Sequence, residues 1–170
     1  MPQEEIYGKR DRTYSNWHRR NSTRRYIGIE KAQLLTMIDL DASVYVEYDD
    51  GTKDPLALIE TAMDIGQSFK SATVTLKLAQ RANLPCFVLL YKKTASIPPD
   101  IERFRVKRLH PKIEQEWRIL TPEEWCKTLL ALRKWQCAKL DAEWEIQTAK
   151  NGGSETRPES PILSDKKEVT

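Results

Sequence analysis

The residues Ile38-Asp39-Leu40-Asp41-Ala42-Ser43-Val44-Tyr45-Val46-Glu47-Tyr48 decide how the fold is read. Even positions carry Ile38, Leu40, Ala42, Val44, Val46 and Tyr48. Odd positions carry Asp39, Asp41, Ser43, Tyr45 and Glu47. Alternation of period two over this length predicts a strand with one buried face. Asp49-Asp50-Gly51 follows with the chemistry of a hairpin turn. Pro55 opens the next strand, where a missing N–H is tolerated, and Leu56 to Met63 continues it.

The apolar pattern of the two strands also selects their register. Directly opposed residues of an antiparallel hairpin share a face. A two-residue Asp50-Gly51 turn sets Asp41 opposite Glu60; a four-residue loop sets Asp41 opposite Ala62 and diagonal to Glu60. Either way Asp39, Asp41 and Glu60 fall on one face, with Leu56 and Leu58. The other face collects Ile38, Leu40, Ala42, Val44 and Val46 with Ala57, Ile59, Thr61 and Met63. A register slipped by one residue would bury carboxylates among aliphatic side chains, at a cost of several kcal/mol each. Carboxylates gathered this closely repel one another unless a cation lies between them. Hard oxygen donors with room for water suit Mg²⁺ or Mn²⁺. The same row is also what a wet face of an antiparallel hairpin shows.

Outward from the hairpin, Tyr14 and Trp17 lie three apart in a basic setting, on a short helix capped by Thr13 or Ser15. Glu30 to Thr36 reads as a second short helix. Phe69 to Ala82 reads as a helix with Phe69, Ala72, Leu76 and Ala79 on one stripe, and Val74 and Leu78 adding a second apolar side. Asn83-Leu84-Pro85 stops it. Cys86 to Tyr91 is a continuous apolar run, which suits a central strand covered on both faces. Arg103 to Leu109 alternates as a further strand. Thr121-Pro122-Glu123-Glu124 starts a helix that carries Trp125, Leu129, Leu132 and Trp135 and either runs on to about Ala149 or breaks and frays earlier. The order of elements predicts an α/β or α+β fold, a single mixed sheet flanked by helices. The expected organisation is a flexible N-terminus over 1–12, one domain over 13–149 and a disordered tail over 150–170.

Composition narrows the class. The chain has 170 residues, and no apolar run approaches the length of a membrane span. No charged stretch followed by an apolar one opens it, and Cys86, Cys126 and Cys137 have neither disulfide nor zinc-knuckle spacing, so a cytoplasmic protein with free thiols is expected. The net charge of +3 is a near-cancellation. Lys9 to Arg25 sums to +6, Asp39 to Asp64 to -7 and Lys92 to Arg108 to +4. Such blocks suit an anionic polymer held beside a cation site, and they also occur on ordinary solvated surfaces. No GxGxxG, Walker A, GxSxG or HExxH motif is present, and His18 and His110 have no partner at triad or metal-ligand spacing. Trp17 reads first as a core anchor and second as a base-stacking ring.

Ile38-Asp39-Leu40-Asp41 and Leu58-Ile59-Glu60-Thr61-Ala62 resemble the Asp strand and the Glu-x-Lys strand of the PD-(D/E)xK nuclease superfamily. Tyr14-Ser15-Asn16-Trp17-His18-Arg19 and Leu84-Pro85-Cys86-Phe87-Val88 look like segments of small phage- or prophage-encoded members. The resemblance spans Tyr14 to Trp135. It implies a restriction-endonuclease-like core and metal-dependent hydrolysis of DNA phosphodiester bonds. Asp41 and Glu60, with Asp39 and the Thr61 carbonyl, would hold Mg²⁺ or Mn²⁺. Arg19, Arg20, Arg24, Arg25, Arg103, Arg105 and Lys107 would hold phosphates. The motif lysine is replaced by Ala62. Either Lys70 or Lys77 supplies that role from the following helix, with Lys70 nearer the hairpin, or the domain is catalytically degenerate. A degenerate domain would bind nucleic acid, or a phage or host protein, in phage assembly or counter-defence.

Overall fold

The computed structural model describes residues 13–19 and 23–151. The segments expected to be flexible or disordered, 1–12 and all but the first two residues of 150–170, lie outside the described residues, as do Arg20 and the side chain of Arg19. The chain divides into two compact units, Met1–Asp39 and Leu40–Thr170.

The first unit holds α1 (Thr13–Arg19), α2 (Arg24–Ile27) and α3 (Ile29–Ala32). Tyr14 and Trp17 lie on one side of α1, their ring centroids 6.0 Å apart. Gly28, at φ +80°, separates α2 from α3 in a conformation that disfavours a side chain. The helix expected over 30–36 is a single turn that gives way to turns at Leu34 and Leu35. Those two leucines are exposed, and a helix of one turn without a packed face does not propagate.

The second unit is an α+β fold on a single mixed five-stranded sheet, as the order of elements predicts. Its strands are β1 (Ala42–Glu47), β2 (Lys53–Met63), β3 (Cys86–Lys93), β4 (Ile101–His110) and β5 (Arg118–Leu120), in sequential spatial order. Only β2 and β3 are parallel, so the chain must cross over between them, and α4 (Thr73–Ala82) makes that crossover. The long helix α5 (Pro122–Asn151) covers the opposite face. Its start is a reciprocal capping box: the Thr121 N–H donates to Glu124 at 2.8 Å and the Glu124 N–H to the Thr121 hydroxyl at 3.2 Å.

The β3 run of apolar residues is buried on both sides. Phe87 and Leu89 pack with Ala57, Ile59 and Val106 under Trp125 of α5. Cys86, Val88 and Leu90 pack toward Ala72, Ala79, Leu84 and Trp117 on the α4 side. α4 is covered on one side only. Val74, Leu78 and the preceding Phe69 are exposed, which corrects the expectation of a helix covered all round.

Three further departures bear on the site. First, β1 begins at Ala42, not Ile38. Second, α4 begins at Thr73, so residues 69–72 are linker. Third, the register Ala42↔Ile59 to Val44↔Ala57 shifts to Tyr45↔Pro55, leaving Leu56 as the extra residue of a bulge. The bulge turns Leu56 away from the acidic face and buries it with Val46, Tyr48, Cys137 and Leu140. Gln136 of α5, itself buried, donates to the Leu56 carbonyl at 3.2 Å.

Candidate active site

Ala42↔Ile59 continues backwards to place Asp41 beside Glu60, the expected pairing reached by a different route: Asp49-Asp50-Gly51 is a three-residue loop between Tyr48 and Thr52, not a two-residue turn, and the Leu56 bulge makes up the missing step. Asp41 lies one residue outside the ladder because its side chain takes a ladder donor. Its Oδ2 accepts the Thr61 N–H at 2.8 Å. Glu60 sits in mid-strand, paired with Val88 of β3, and is only 3% exposed. A carboxylate at that depth costs several kcal/mol unless both oxygens are satisfied.

Both are. Oε1 accepts the hydroxyl of Thr75, which projects from α4 and is 1% exposed. Oε2 accepts the Lys70 ammonium at 2.9 Å. The same ammonium donates to Asp41 Oδ2 and, at 2.5 Å, to the Thr61 carbonyl. Three oxygens from β2 and the residue before β1 therefore converge on one nitrogen carried by the linker. Lys77 is exposed on α4. Of the two lysines left open by the sequence, Lys70 is the one at the carboxylates. Ala62, the motif-lysine position, instead packs with Val88, Leu90 and Ala72.

The electrostatics follow from these contacts. Partial burial works to raise the Asp41 pKa, but the Lys70 and Thr61 hydrogen bonds outweigh it and hold the carboxyl below its ordinary value. Burial likewise works to lower Lys70, and its bonds to Asp41 and Glu60 raise it above the ordinary ammonium value. The Cys86 thiol beneath α4 is pushed up to about 11, first by burial and then by the Glu60 charge.

Residues 64–67 form a bonded turn just ahead of Lys70. Gly66 N–H donates to Asp64 at 3.1 Å, and Gln67 accepts from the Ile65 N–H and donates to the Met63 carbonyl. Arg105 fastens this turn, donating to Asp64 at 2.9 Å and to the Gln67 carbonyl at 2.6 Å, with Trp117 against its guanidinium. Burial works to raise the Asp64 pKa; the Gly66 amide and Arg105 more than offset it. The register through β3 sets Arg103, Arg105 and Lys107 on the same sheet face as Glu60. Of these basic residues only Arg103 is exposed. Lys107 donates to the Gln115 carbonyl at 2.7 Å, and Arg105 is engaged with the loop. Arg24 and Arg25 are exposed in the first unit. Asp39 is the last residue of that unit.

Sequence reasoning missed Thr75 and the use of Arg105. Thr75 carried a visible signal, since it is the polar member of the buried row Ala72, Thr75, Ala79. Arg105 carried none, because its partners lie thirty-eight to forty-one residues away.

Among the described residues, no group of three or more His, Cys, Asp or Glu side chains is gathered that would hold a metal ion. The donors that do converge are two carboxylates and one backbone carbonyl. All are hard oxygens, and they match a cation that keeps much of its water shell. No family model, curated protein or solved structure matches the chain.

Proposed function

We propose that this protein is a metal-dependent nuclease of the PD-(D/E)xK kind, hydrolysing DNA phosphodiester bonds at Asp41, Glu60 and Lys70. The observation that carries the reading is the position of Lys70. Its ammonium reaches both carboxylates from the linker, which compensates for Ala62. A bound Mg²⁺ or Mn²⁺ supplies Lewis acidity toward water and phosphate. Asp41, Glu60 and the Thr61 carbonyl are the residues that would hold it.

The remaining work falls to the chain. Thr75 fixes the Glu60 carboxylate in one orientation, so that its second oxygen faces the site. Lys70 carries a positive charge within hydrogen-bond reach of both acids. From there it orients a water and meets the negative charge that grows on the phosphate in the transition state. Arg103 on β4, with Arg24 and Arg25, contacts backbone phosphates. Cytoplasmic action belongs to the same reading, and the three free cysteines agree with it. So does the absence, among the described residues, of a helix long and apolar enough to cross a membrane.

One observation favours a second reading. The ammonium already sits where the three oxygens converge, so one of the pair's two negative charges is offset without a metal. A nuclease-fold protein that binds nucleic acid or a protein partner without cutting would look the same.

Incubation with supercoiled, linear and single-stranded DNA in Mg²⁺ or Mn²⁺ separates the two. Nicking by wild type that is lost in Asp41→Asn, Glu60→Gln and Lys70→Met supports the enzyme. No cleavage of any substrate, or equal cleavage by the variants, leaves the non-catalytic reading.

A further inference from the structure

The first unit gathers three aromatic rings without burying them. Trp17 lies near both Tyr14 and Tyr26, with centroids 6.0 and 6.4 Å away and ring planes tilted by 26° and 37°. Tyr14 is 67% exposed and Tyr26 68%. His18 packs edge-on to Tyr14 and Trp17, and its Nε2 lies 2.7 Å from the Leu35 carbonyl, which ties α1 to the segment after α3. Rings that served as a core would be covered, yet none of the residues of α2 or α3 is buried. Both tyrosines instead stand exposed beside a half-buried tryptophan.

The charge around the rings has one dominant sign. Among the described residues of this unit, Arg24, Arg25 and Lys31 are exposed, against exposed Glu30 and half-buried Asp39. The Arg25 guanidinium lies 5.0 Å from the centre of the Tyr26 ring. Exposed aromatic rings among cations match a strand that offers uncovered π-faces and a phosphate at every step. A duplex covers those faces with its own neighbouring bases. An aromatic protein hot spot also uses Tyr, Trp and Arg, but it does not call for a surplus of cations.

We propose that Tyr14, Trp17 and Tyr26 form a stacking platform for single-stranded nucleic acid, with Arg24 and Arg25 on its phosphates. This extends the reading above to the form of strand that is held, and it rests on that reading for the two arginines as phosphate contacts. Bases stack on the tyrosine rings, and Trp17 packs against both.

The test is binding of the full chain in EDTA, where metal-dependent cleavage is absent, to a labelled oligothymidylate and to a matched duplex by fluorescence anisotropy. Wild type should prefer the single strand by about tenfold or more. Tyr14→Ala/Tyr26→Ala should weaken single-strand binding by about tenfold or more, and Tyr14→Phe/Tyr26→Phe should keep it within about twofold, because the π-face is retained. Arg24→Gln/Arg25→Gln should lower the slope of log affinity against log salt by about 1.4, the value for two phosphates on a single strand. Equal binding of single strand and duplex by wild type overturns the proposal, and that comparison needs no variant to fold. Unchanged binding by the double alanine variant also overturns it, as does capture of a protein partner with no binding of either DNA at low salt. If DNA is never cut but the tyrosine-dependent binding holds, the nuclease reading falls and the platform stands. If DNA is cut but the tyrosine variants bind normally, only the platform falls.

Discussion

Replacing Lys70 with Met removes one cation from between two acids while keeping most of the aliphatic stem. Glu60 then loses the donor to Oε2 at a site where it is almost wholly buried. Asp41 loses its bond to the same nitrogen, and the two carboxylates face each other uncompensated. Removing one partner of a buried ion pair costs about 3–5 kcal/mol. The Lys70 and Asp41 side chains are 23% and 32% exposed, so water recovers part of that. The expected loss is about 2–3 kcal/mol, or roughly 8–12 °C in Tm for a domain of this size. Urea and thermal unfolding in EDTA at neutral pH measure it. A double-mutant cycle with Glu60→Gln should show coupling of about 1 kcal/mol or more, since the amide no longer needs the ammonium. Mg²⁺ should then raise the Tm of Lys70→Met more than that of wild type, because the vacated acids regain a cation. A variant within about 0.5 kcal/mol of wild type, or a cycle with no coupling, would mean that Lys70 is not the counter-ion of this pair.

Two further outcomes follow from the same geometry. Thr75→Val keeps the shape but leaves a buried Glu60 oxygen without a donor. It should cost about 1–3 kcal/mol in urea unfolding, and Thr75→Ser should recover most of that; equal stability of the Val variant would remove Thr75 from the site. Asp64 is held below its ordinary value in the folded protein, so the unfolded chain binds its proton first as pH falls. Its contribution is present above the ordinary carboxylate range and is lost as pH falls through that range toward the lower folded value. The stability gap between wild type and Asp64→Asn should therefore be widest near neutral pH and close in acid. A gap that does not change with pH would show that Arg105 does not hold the ionised form.

How far the site was legible depended on whether its cause was local. Asp41 and Glu60 were in part: alternation of period two, a property of each strand, marks both as polar-face residues, but the three-residue Asp49-Asp50-Gly51 loop alone would set Asp41 opposite Ile59, and it is the Leu56 bulge that brings it to Glu60. The extent of the strand was not. Ile38-Asp39-Leu40-Asp41 continues the pattern, yet the ladder begins only at Ala42, because the Asp41 side chain competes for the Thr61 amide. The Leu56 bulge was equally hidden: Asp54-Pro55-Leu56-Ala57 fits an unbroken strand, and the extra residue shows only in the pairing. β5 has three residues, too few for any period to register. Residues 69–72 carry helix-compatible composition, but Lys70 is drawn onto acids ten and twenty-nine positions earlier, a long-range demand that local propensity does not contain.

The charge blocks illustrate the same point most sharply. The -7 segment looked like one acidic feature and the +4 segment like a basic surface. In the fold some of these charges are answered by partners, and one ion pair, Asp64 with Arg105, joins the two segments. Asp41 and Glu60 meet Lys70, Asp64 meets Arg105, Glu47 meets Lys53, and Tyr48 donates to Asp54. Within and beyond the +4 segment, Lys92 meets Glu102 and Arg108 meets Glu114. The one-to-one ion pairs add little long-range field, because each is close to neutral beyond a Debye length, whereas the Asp41–Glu60–Lys70 cluster keeps one negative charge. Outside those pairs stand exposed Asp49, Asp50 and Lys93 as well as exposed arginines: Arg103 on the Glu60 face of the sheet, and Arg24 and Arg25 beside the tyrosine rings. The case for a polyanionic partner therefore rests on three placed guanidinium groups and an aromatic surface, and not on the basic blocks that composition first suggests.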